Sequence, residues 1–296
     1  MKNLLIIGGS KFAGKSFINY FNNNNNKFKN LKIILISKKS FSIKKKYKIK
    51  IIKRDFNKIK ILPDCDFILY CLRTNNKSND NKLFKIFKKK LLKLKKKPKI
   101  IYTSSGVLYG ENNSRKKILE KRYISLKKIK YLKNYKKKWF KQKLNLEKKF
   151  FGLSQENYKI LVLRMFTFIG PSLLDQNYVP SELIKKFKNN KRITINGPLN
   201  TYRSYLFESD FVEWIIKIFF KFEKQYDIYN FGSDKPITIY KLANKIGGYF
   251  NLKKIFLLNK SKKLDYYVPS INKLKKDFKV KINVPLNLSI MKSIKK

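Results

Sequence analysis

Residues 2–14 read KNLLIIGGSKFAG. Asn3 to Ile7 is an apolar run of the length of one buried strand, and it stops on Gly8-Gly9. Helical spacing takes over from Lys15 to Asn22. Gly8, Gly9 and Gly14 thus fall between a first strand and a first helix. A glycine turn there lets backbone N–H groups and a helix N-terminus meet a pyrophosphate. The spacing is G-x-x-K-x-x-G, with Lys11 where a middle glycine is usual. Ser10, Lys11 and Phe12 fill the turn and are candidate cofactor contacts with the three glycines. An ordinary strand–helix turn is the plainer alternative.

The same rhythm continues outward. Lys32–Ser37, Lys48–Lys53, Asp66–Leu72 and Lys99–Ser104 are further strand candidates, and Lys82–Leu94 has helical spacing. Continuous apolar runs separated by helices are the mark of a buried parallel sheet. The expected fold is α/β, a doubly wound parallel sheet of the Rossmann kind. Beyond about residue 170 the pattern changes, with longer loops expected around Pro171, Pro180 and Pro198. The expected division is a dinucleotide-binding domain over 1–165, with 203–232 returning to it, and a smaller substrate lobe over 166–296. Asn22–Asn26 reads as a loop between the first helix and second strand. The second strand ends Ser37-Lys38-Lys39 with no acid to hold a ribose 2′-hydroxyl. Lysines there suit a 2′-phosphate, so both NAD and NADP stay open. Asp55, in Asp55-Phe56 after the third strand, is placed to meet adenine.

Composition excludes several chemistries. The 296 residues carry 72 Lys+Arg against 18 Asp+Glu, a formal charge of +54, and no histidine. Without histidine there is no Ser-His-Asp or Cys-His nucleophile system and no His-ligated metal. Cys65 and Cys71 alone make neither a disulfide framework nor a four-ligand metal site, so no metal is expected. The charge is almost all lysine and is spread along the chain. Alanine, glycine and arginine are scarce, while Lys, Asn, Ile, Phe and Tyr abound. That pattern fits A- and T-rich codons painted on a solvated surface better than a dedicated polyanion partner, although non-specific polyanion binding follows from the charge. No apolar run approaches ~20 residues, so no membrane span is expected. The start MKNLLIIGGSKF lacks the long apolar core of a signal peptide, which makes a cytoplasmic location the expectation.

With GGSKFAG in place, four more segments carry a resemblance. They are SSGVLYG (104–110), LRMFTFIGP (163–171), RSYLFESDFVEWI (203–215) and IYNFGSDKPITIYKLA (228–243). Together and in this order the chain resembles the extended short-chain dehydrogenase/reductase family, the NAD(P)-dependent sugar-nucleotide epimerases, dehydratases and reductases. The scarce Arg164, Arg203, Gly170 and Gly232 fall inside these segments. The resemblance implies a Ser, a Tyr and a Lys around the nicotinamide and sugar. The Tyr phenolate takes a proton from a sugar hydroxyl as hydride moves to the nicotinamide. The Lys ammonium lowers the Tyr pKa and bonds the nicotinamide ribose.

Ser105 matches the family serine. WFKQKLNLE (139–147) matches the helix motif at Lys143 and Glu147, but Trp139 holds the tyrosine position. An indole N–H only donates and is no base near neutral pH. Tyr135, one turn earlier on the same face, is one rescue, and Tyr123-x-x-x-Lys127 is another. The bland alternative for Trp139 is an aromatic packed on the helix. The resemblance further assigns Ser37, Lys38, Asp55, Phe56, Cys71, Leu72 and Phe166, with Lys143, to the cofactor. It assigns Ser105, Gly106, Thr167 and Arg203 to the substrate. A surface salt bridge to Glu208 or Asp210 is the alternative for Arg203. Three functions follow as expectations: a nucleotide-sugar epimerase, dehydratase or 4-keto reductase serving surface polysaccharide; a degenerate member that binds cofactor without turnover; and an RNA-associated member of the same scaffold. Family members pair through the Tyr-Lys helix, so a homodimer is expected, although Lys136, Lys137, Lys138 and Lys148 crowd that surface.

Overall fold

The computed structural model describes residues 1–23, 28–44, 48–74, 76–122, 134–189, 193–195, 198–251, 255–257 and 263–295. The Tyr123-x-x-x-Lys127 alternative lies outside them, as do residues 24–26 of the asparagine tract. Six strands open the chain's sheet in order: β1 (Lys2–Ile7), β2 (Leu31–Ser37), β3 (Ile49–Lys53), β4 (Phe67–Tyr70), β5 (Lys99–Ser105) and β6 (Ile160–Met165). The Tyr226–Phe231 strand completes it. The spatial order is Tyr226–Phe231, β6, β5, β4, β1, β2, β3. The pairs β1–β2, β1–β4, β2–β3 and β4–β5 are all parallel. A reversal of strand order at β1 is the doubly wound, Rossmann arrangement. It places the crevice for a ligand beyond the carboxyl ends of β1 and β4.

The helices are α1 (Phe12–Asn23), α2 (Lys77–Leu91), α3 (Asn134–Ser154), α4 (Val179–Asn189), α5 (Glu208–Lys221), α6 (Ile239–Gly248), α7 (Asn272–Phe278) and α8 (Leu286–Ile294). Several expected bounds move. The glycine turn passes straight into α1 at Phe12, and Asn22 and Asn23 are its last residues rather than loop. Asn76 accepts from the Asn79 N–H and starts α2 five residues before the expected Lys82. At the other end, Lys93 and Leu94 close turns onto Lys90 and Leu91 instead of extending the helix. β4 stops at Tyr70, so Cys71 and Leu72 form the loop after it. Pro171 opens a short 3₁₀ turn and Pro180 sits in the first turn of α4. Proline there costs no hydrogen bond, because first-turn N–H groups have no partner in the helix.

The chain divides into two compact units. The first comprises Met1–Leu108, Ile124–Arg164 and Ile215–Tyr229, and the second Tyr109–Tyr123, Met165–Trp214 and Asn230–Lys296. The chain therefore returns to the first unit at Ile215 rather than 203, and 109–123 belongs to the second. The core of the first unit lies between sheet and helices. Tyr70, Tyr102, Phe84, Phe87 and Phe150 form one aromatic cluster in it, with Tyr102 stacked on Phe150 at 4.5 Å. The second unit has its own apolar cluster around Ile184, Phe187, Leu242 and Ile246. Among the described residues, no helix is long and apolar enough to cross a membrane.

Candidate active site

In the first unit the glycine turn is shaped by close approach. Gly8 has φ +91°, and a Cβ there would stand 2.7 Å from the backbone nitrogen of Leu72. A Cβ on Gly14 would stand 1.9 Å from the Gly9 carbonyl oxygen. The first turn of α1 thus lies directly on the turn, and the chain after β4 lies directly on Gly8. Only glycine fits either place. Ser10 fixes the turn to the end of β2: its hydroxyl is 3.1 Å from that of Ser37 and accepts from the Lys38 N–H at 3.1 Å. Lys38 pairs with Asp55 at 2.5 Å. Burial of Asp55 works against its charge, but Lys38, the Asn57 N–H and Lys58 outweigh it and hold the carboxyl below the usual range. Lys38 and Asp55, the two candidates for the adenosine end, are therefore partners of each other. The Phe56 side chain is buried in the core against Phe87. Lys11 and Phe12 stand where the turn enters α1.

The helix motif lies on α3, with Trp139 and Lys143 one turn apart. Lys143 is buried, donates to the Thr103 carbonyl at 2.8 Å, and stands 5.0 Å from the centre of the Tyr102 ring. Burial drives its ammonium down to about 8. Cys71, Asp80 and Glu147 oppose that fall and Arg73 adds to it. Burial pushes the Cys71 thiol, at the loop after β4, up to about 12. Ser105 ends β5, its hydroxyl accepting from the Val107 N–H at 3.2 Å where Gly106 opens a 3₁₀ turn. Ser104, one residue earlier, donates to Glu147 at 2.5 Å. Arg164 on β6 grips the same carboxylate through Nε at 3.1 Å and Nη2 at 2.8 Å. Ser104, Glu147 and Arg164 are all buried, so this clasp joins β5, α3 and β6.

Trp139 is half-buried, and its indole nitrogen is fully covered without a hydrogen-bond partner. The guanidinium of Arg73 lies 4.3 Å from its ring centre. Tyr135 is 62% exposed. Arg73 was not singled out from the sequence, although its scarcity was a usable signal. Two further residues were missed. Asp80 in the first turn of α2 accepts from the Thr74 hydroxyl at 2.6 Å and from Gln142 at 3.1 Å. It ties the loop after β4 to the residue next to Lys143.

In the second unit, Phe166 is buried between Tyr109 and Tyr267, with ring centres at 6.1 and 4.6 Å. Thr167 donates its hydroxyl to the Ser204 carbonyl. Arg203 bonds Asp265 at 2.7 Å and lies over the Tyr267 ring. The expected salt-bridge alternative named Glu208 or Asp210, but those carboxylates turn to the backbone instead. Glu208 accepts from Ser172 N–H at 2.7 Å, and Asp210 from Asn283 and Val284 at 3.2 and 3.1 Å. Asn230 was also missed. It accepts from the Tyr109 hydroxyl at 2.6 Å and donates to the Ile118 and Ser270 carbonyls, which closes the end of SSGVLYG.

A doubly wound sheet with a tight glycine turn after β1 and a buried lysine bonded to the β5 backbone defines a dinucleotide-fold protein. The profile of the NAD dependent epimerase/dehydratase family matches residues 4–232, and the chain belongs to that family. Among solved structures it is similar to RMD from Pseudomonas aeruginosa complexed with NADPH, at 15% identity and a TM-score of 0.77, over 100% of this chain and 98% of that one. It is similar to dTDP-glucose 4,6-dehydratase from Bacillus anthracis in complex with NAD, at 16% identity and 0.78, over 100% and 96%. It is also similar to UDP-glucose 4-epimerase from Thermotoga maritima with UDP-glucose, at 16% identity and 0.74, over 99% and 97%. At such identities these likenesses show the fold. A comparison with curated protein sequences finds no match.

Proposed function

We propose that the protein is an NAD(P)-dependent enzyme acting on a nucleotide-linked sugar, as an epimerase, dehydratase or 4-keto reductase, supplying precursors of surface polysaccharide in the cytoplasm. The observation that carries this reading is Lys143, buried against the end of β5 in the unit that holds the glycine turn. The residues fit a dinucleotide: Gly8 and Gly14 let the loop after β4 and the first turn of α1 close directly on the glycine turn, so that backbone N–H groups and the α1 N-terminus would face a pyrophosphate there. Gly8, Gly9, Ser10, Lys11, Phe12 and Gly14 would hold the pyrophosphate. Ser37, Lys38, Asp55 and the Phe56 backbone would hold the adenosine end, and Cys71, Leu72 and Phe166 would flank the nicotinamide side. The cofactor, NAD or NADP, would exchange hydride with the sugar.

This chain's residues would do the rest. Ser105 and Gly106 would meet the reacting sugar oxygen, with Thr167 beside the sugar. Arg203 would meet the diphosphate once its bond to Asp265 opens or is shared. The test is a panel of UDP-, dTDP-, GDP- and CDP-sugars with NAD(H) and NADP(H). Turnover of at least one is expected; bound cofactor with no turnover across the panel overturns the enzyme reading. A second reading, a member that binds cofactor without chemistry, is favoured by one observation: Trp139 at the tyrosine position, with its indole N–H unpaired under Arg73. In that case Trp139→Tyr creates turnover that the parent lacks.

A further inference from the structure

We propose that Lys143 itself is the proton donor and acceptor of this site, in the place of a side chain at position 139. The proposal rests on the cofactor-dependent sugar reading above. It begins with an elimination. Trp139 offers an indole N–H that neither gives up nor accepts a proton near neutrality. The groups facing Lys143 are then Cys71 and Arg73 in the loop after β4, Tyr102 on β5, Asp80 on α2, and Glu147 on its own helix.

Each of these is otherwise committed. Burial pushes Tyr102 above the ordinary tyrosine range, and Cys71 to about 12. Arg73 is permanently charged. Asp80 accepts from Thr74 and Gln142, and Glu147 from Ser104 and Arg164, so both carboxylates are engaged. Tyr135 is exposed.

Lys143 has what the others lack. Its stem is buried and its ammonium is anchored by one bond, to the Thr103 carbonyl, two residues from Ser105. An ammonium has three donors, so the anchor leaves two for a ligand. Burial also brings it close to the working pH, where a proton carrier is most effective. In the reductive direction the ammonium gives its proton to the carbonyl oxygen of a keto-sugar while that carbon receives hydride from the reduced cofactor. The products are an alcohol, a neutral amine and oxidised cofactor, and the amine regains its proton from solvent. In the oxidative direction the amine takes the hydroxyl proton as hydride leaves the carbon.

The experiment measures NADPH and NADH binding by fluorescence and the pH dependence of reduction of UDP-, dTDP-, GDP- and CDP-linked 4-keto-sugars. The proteins are the parent, K143R, K143Q and W139F. Expected are a rate that falls above about pH 8 in the parent and in W139F alike, and a loss of roughly 10²–10⁴-fold in kcat for K143R and K143Q with cofactor still bound. A falling limb that survives in K143R overturns the proposal alone. A parent that binds cofactor but reduces no member of the panel overturns the enzyme reading and the proposal with it. A parent that binds neither cofactor overturns the sugar-enzyme reading and the proposal with it. A second readout needs no turnover. A lysine whose folded pKa lies below its unfolded one costs stability at low pH, and that cost fades as pH rises from about 8 toward 10.5. K143M, which lacks the buried ammonium, is therefore expected to gain more in melting temperature over the parent at pH 7 than at pH 10. A gain that does not change with pH overturns the proposal.

Discussion

Gly8 is where the backbone of one loop meets the backbone of another. With φ +91° and Leu72 N only 2.7 Å from an imagined Cβ, Gly8→Ala strains the backbone and forces two loops apart. The strain alone is about 1–3 kcal/mol. The expected result is a lower urea midpoint together with lost NADPH binding; a variant that keeps both would show that the turn yields more freely than its geometry suggests. At Arg73 the issue is charge. Its guanidinium lies on the Trp139 ring and helps hold the Lys143 ammonium down. Arg73→Ala removes that repulsion, so Lys143 moves up toward the ordinary lysine range. The pH at which reduction falls is expected to rise in R73A; a limb that stays or drops would show that Arg73 does not act on Lys143. The spacing of Trp139, Lys143 and Glu147 was legible in the sequence, because positions four apart on a helix share a face. Arg73 was not, because it reaches Trp139 across 66 positions of chain and no local pattern marks such a contact.

Elements are joined here by a few buried carboxylates. Glu147 takes hydrogen bonds from Ser104 on β5 and Arg164 on β6, and so fastens α3 to the middle of the sheet. Glu147→Gln leaves the Arg164 charge buried without its partner. Breaking one side of such a pair costs about 3–5 kcal/mol, whereas replacing both partners with apolar groups is often neutral. Chemical denaturation is expected to show E147Q far less stable and E147M/R164M substantially recovered; equal losses would show that packing, not charge, carries the clasp. Asp210, in the first turn of α5, gives the opposite lesson. Burial raises its carboxyl to about 6 although the Val284 and Asn283 N–H groups bond it. Its folded pKa lies above the ordinary aspartate value of about 3.9, so the folded chain holds the proton more tightly than the unfolded one. Stability therefore falls as pH rises from about 4 to 6, and the deficit persists above 6. Asp210→Asn is expected to melt higher than the parent at pH 7, with the gain shrinking at pH 4. The first strands were legible because a strand buried on both faces is apolar throughout. The bounds of α1 and α2 were less so, since they are set by a tight glycine turn and by the Asn76 side chain rather than by hydrophobic period.

For the molecule as a whole, the sign of the charge was plain from composition, but its placement was not. α2 and α3 each contain one carboxylate, Asp80 and Glu147, and both are buried. Their outward positions are left to lysine: Lys82, Lys85 and Lys89 on α2, and Lys138, Lys141 and Lys148 on α3, are all exposed. These two helices thus turn their single acids inward as ties and most of their lysines outward, with Lys90 and Lys143 buried, and helical period alone does not say which carboxylate will find a buried partner. The consequence bears on self-association. A homodimer through α3 would bring two such faces together, and the repulsion between them is set by screening. The Debye length shrinks from about 10 Å at 0.1 M salt to about 3 Å at 1 M, so lysines on facing helices largely cease to feel one another. Sedimentation of the protein is therefore expected to show a dimer fraction that grows with salt from 0.1 to 1 M. Replacing Lys138, Lys141 and Lys148 by Gln should raise the fraction at 0.1 M and flatten the dependence. A dimer that is tightest at low salt, or one indifferent to these three substitutions, would place the contact on another face, where attraction between unlike charges or apolar burial holds the two copies.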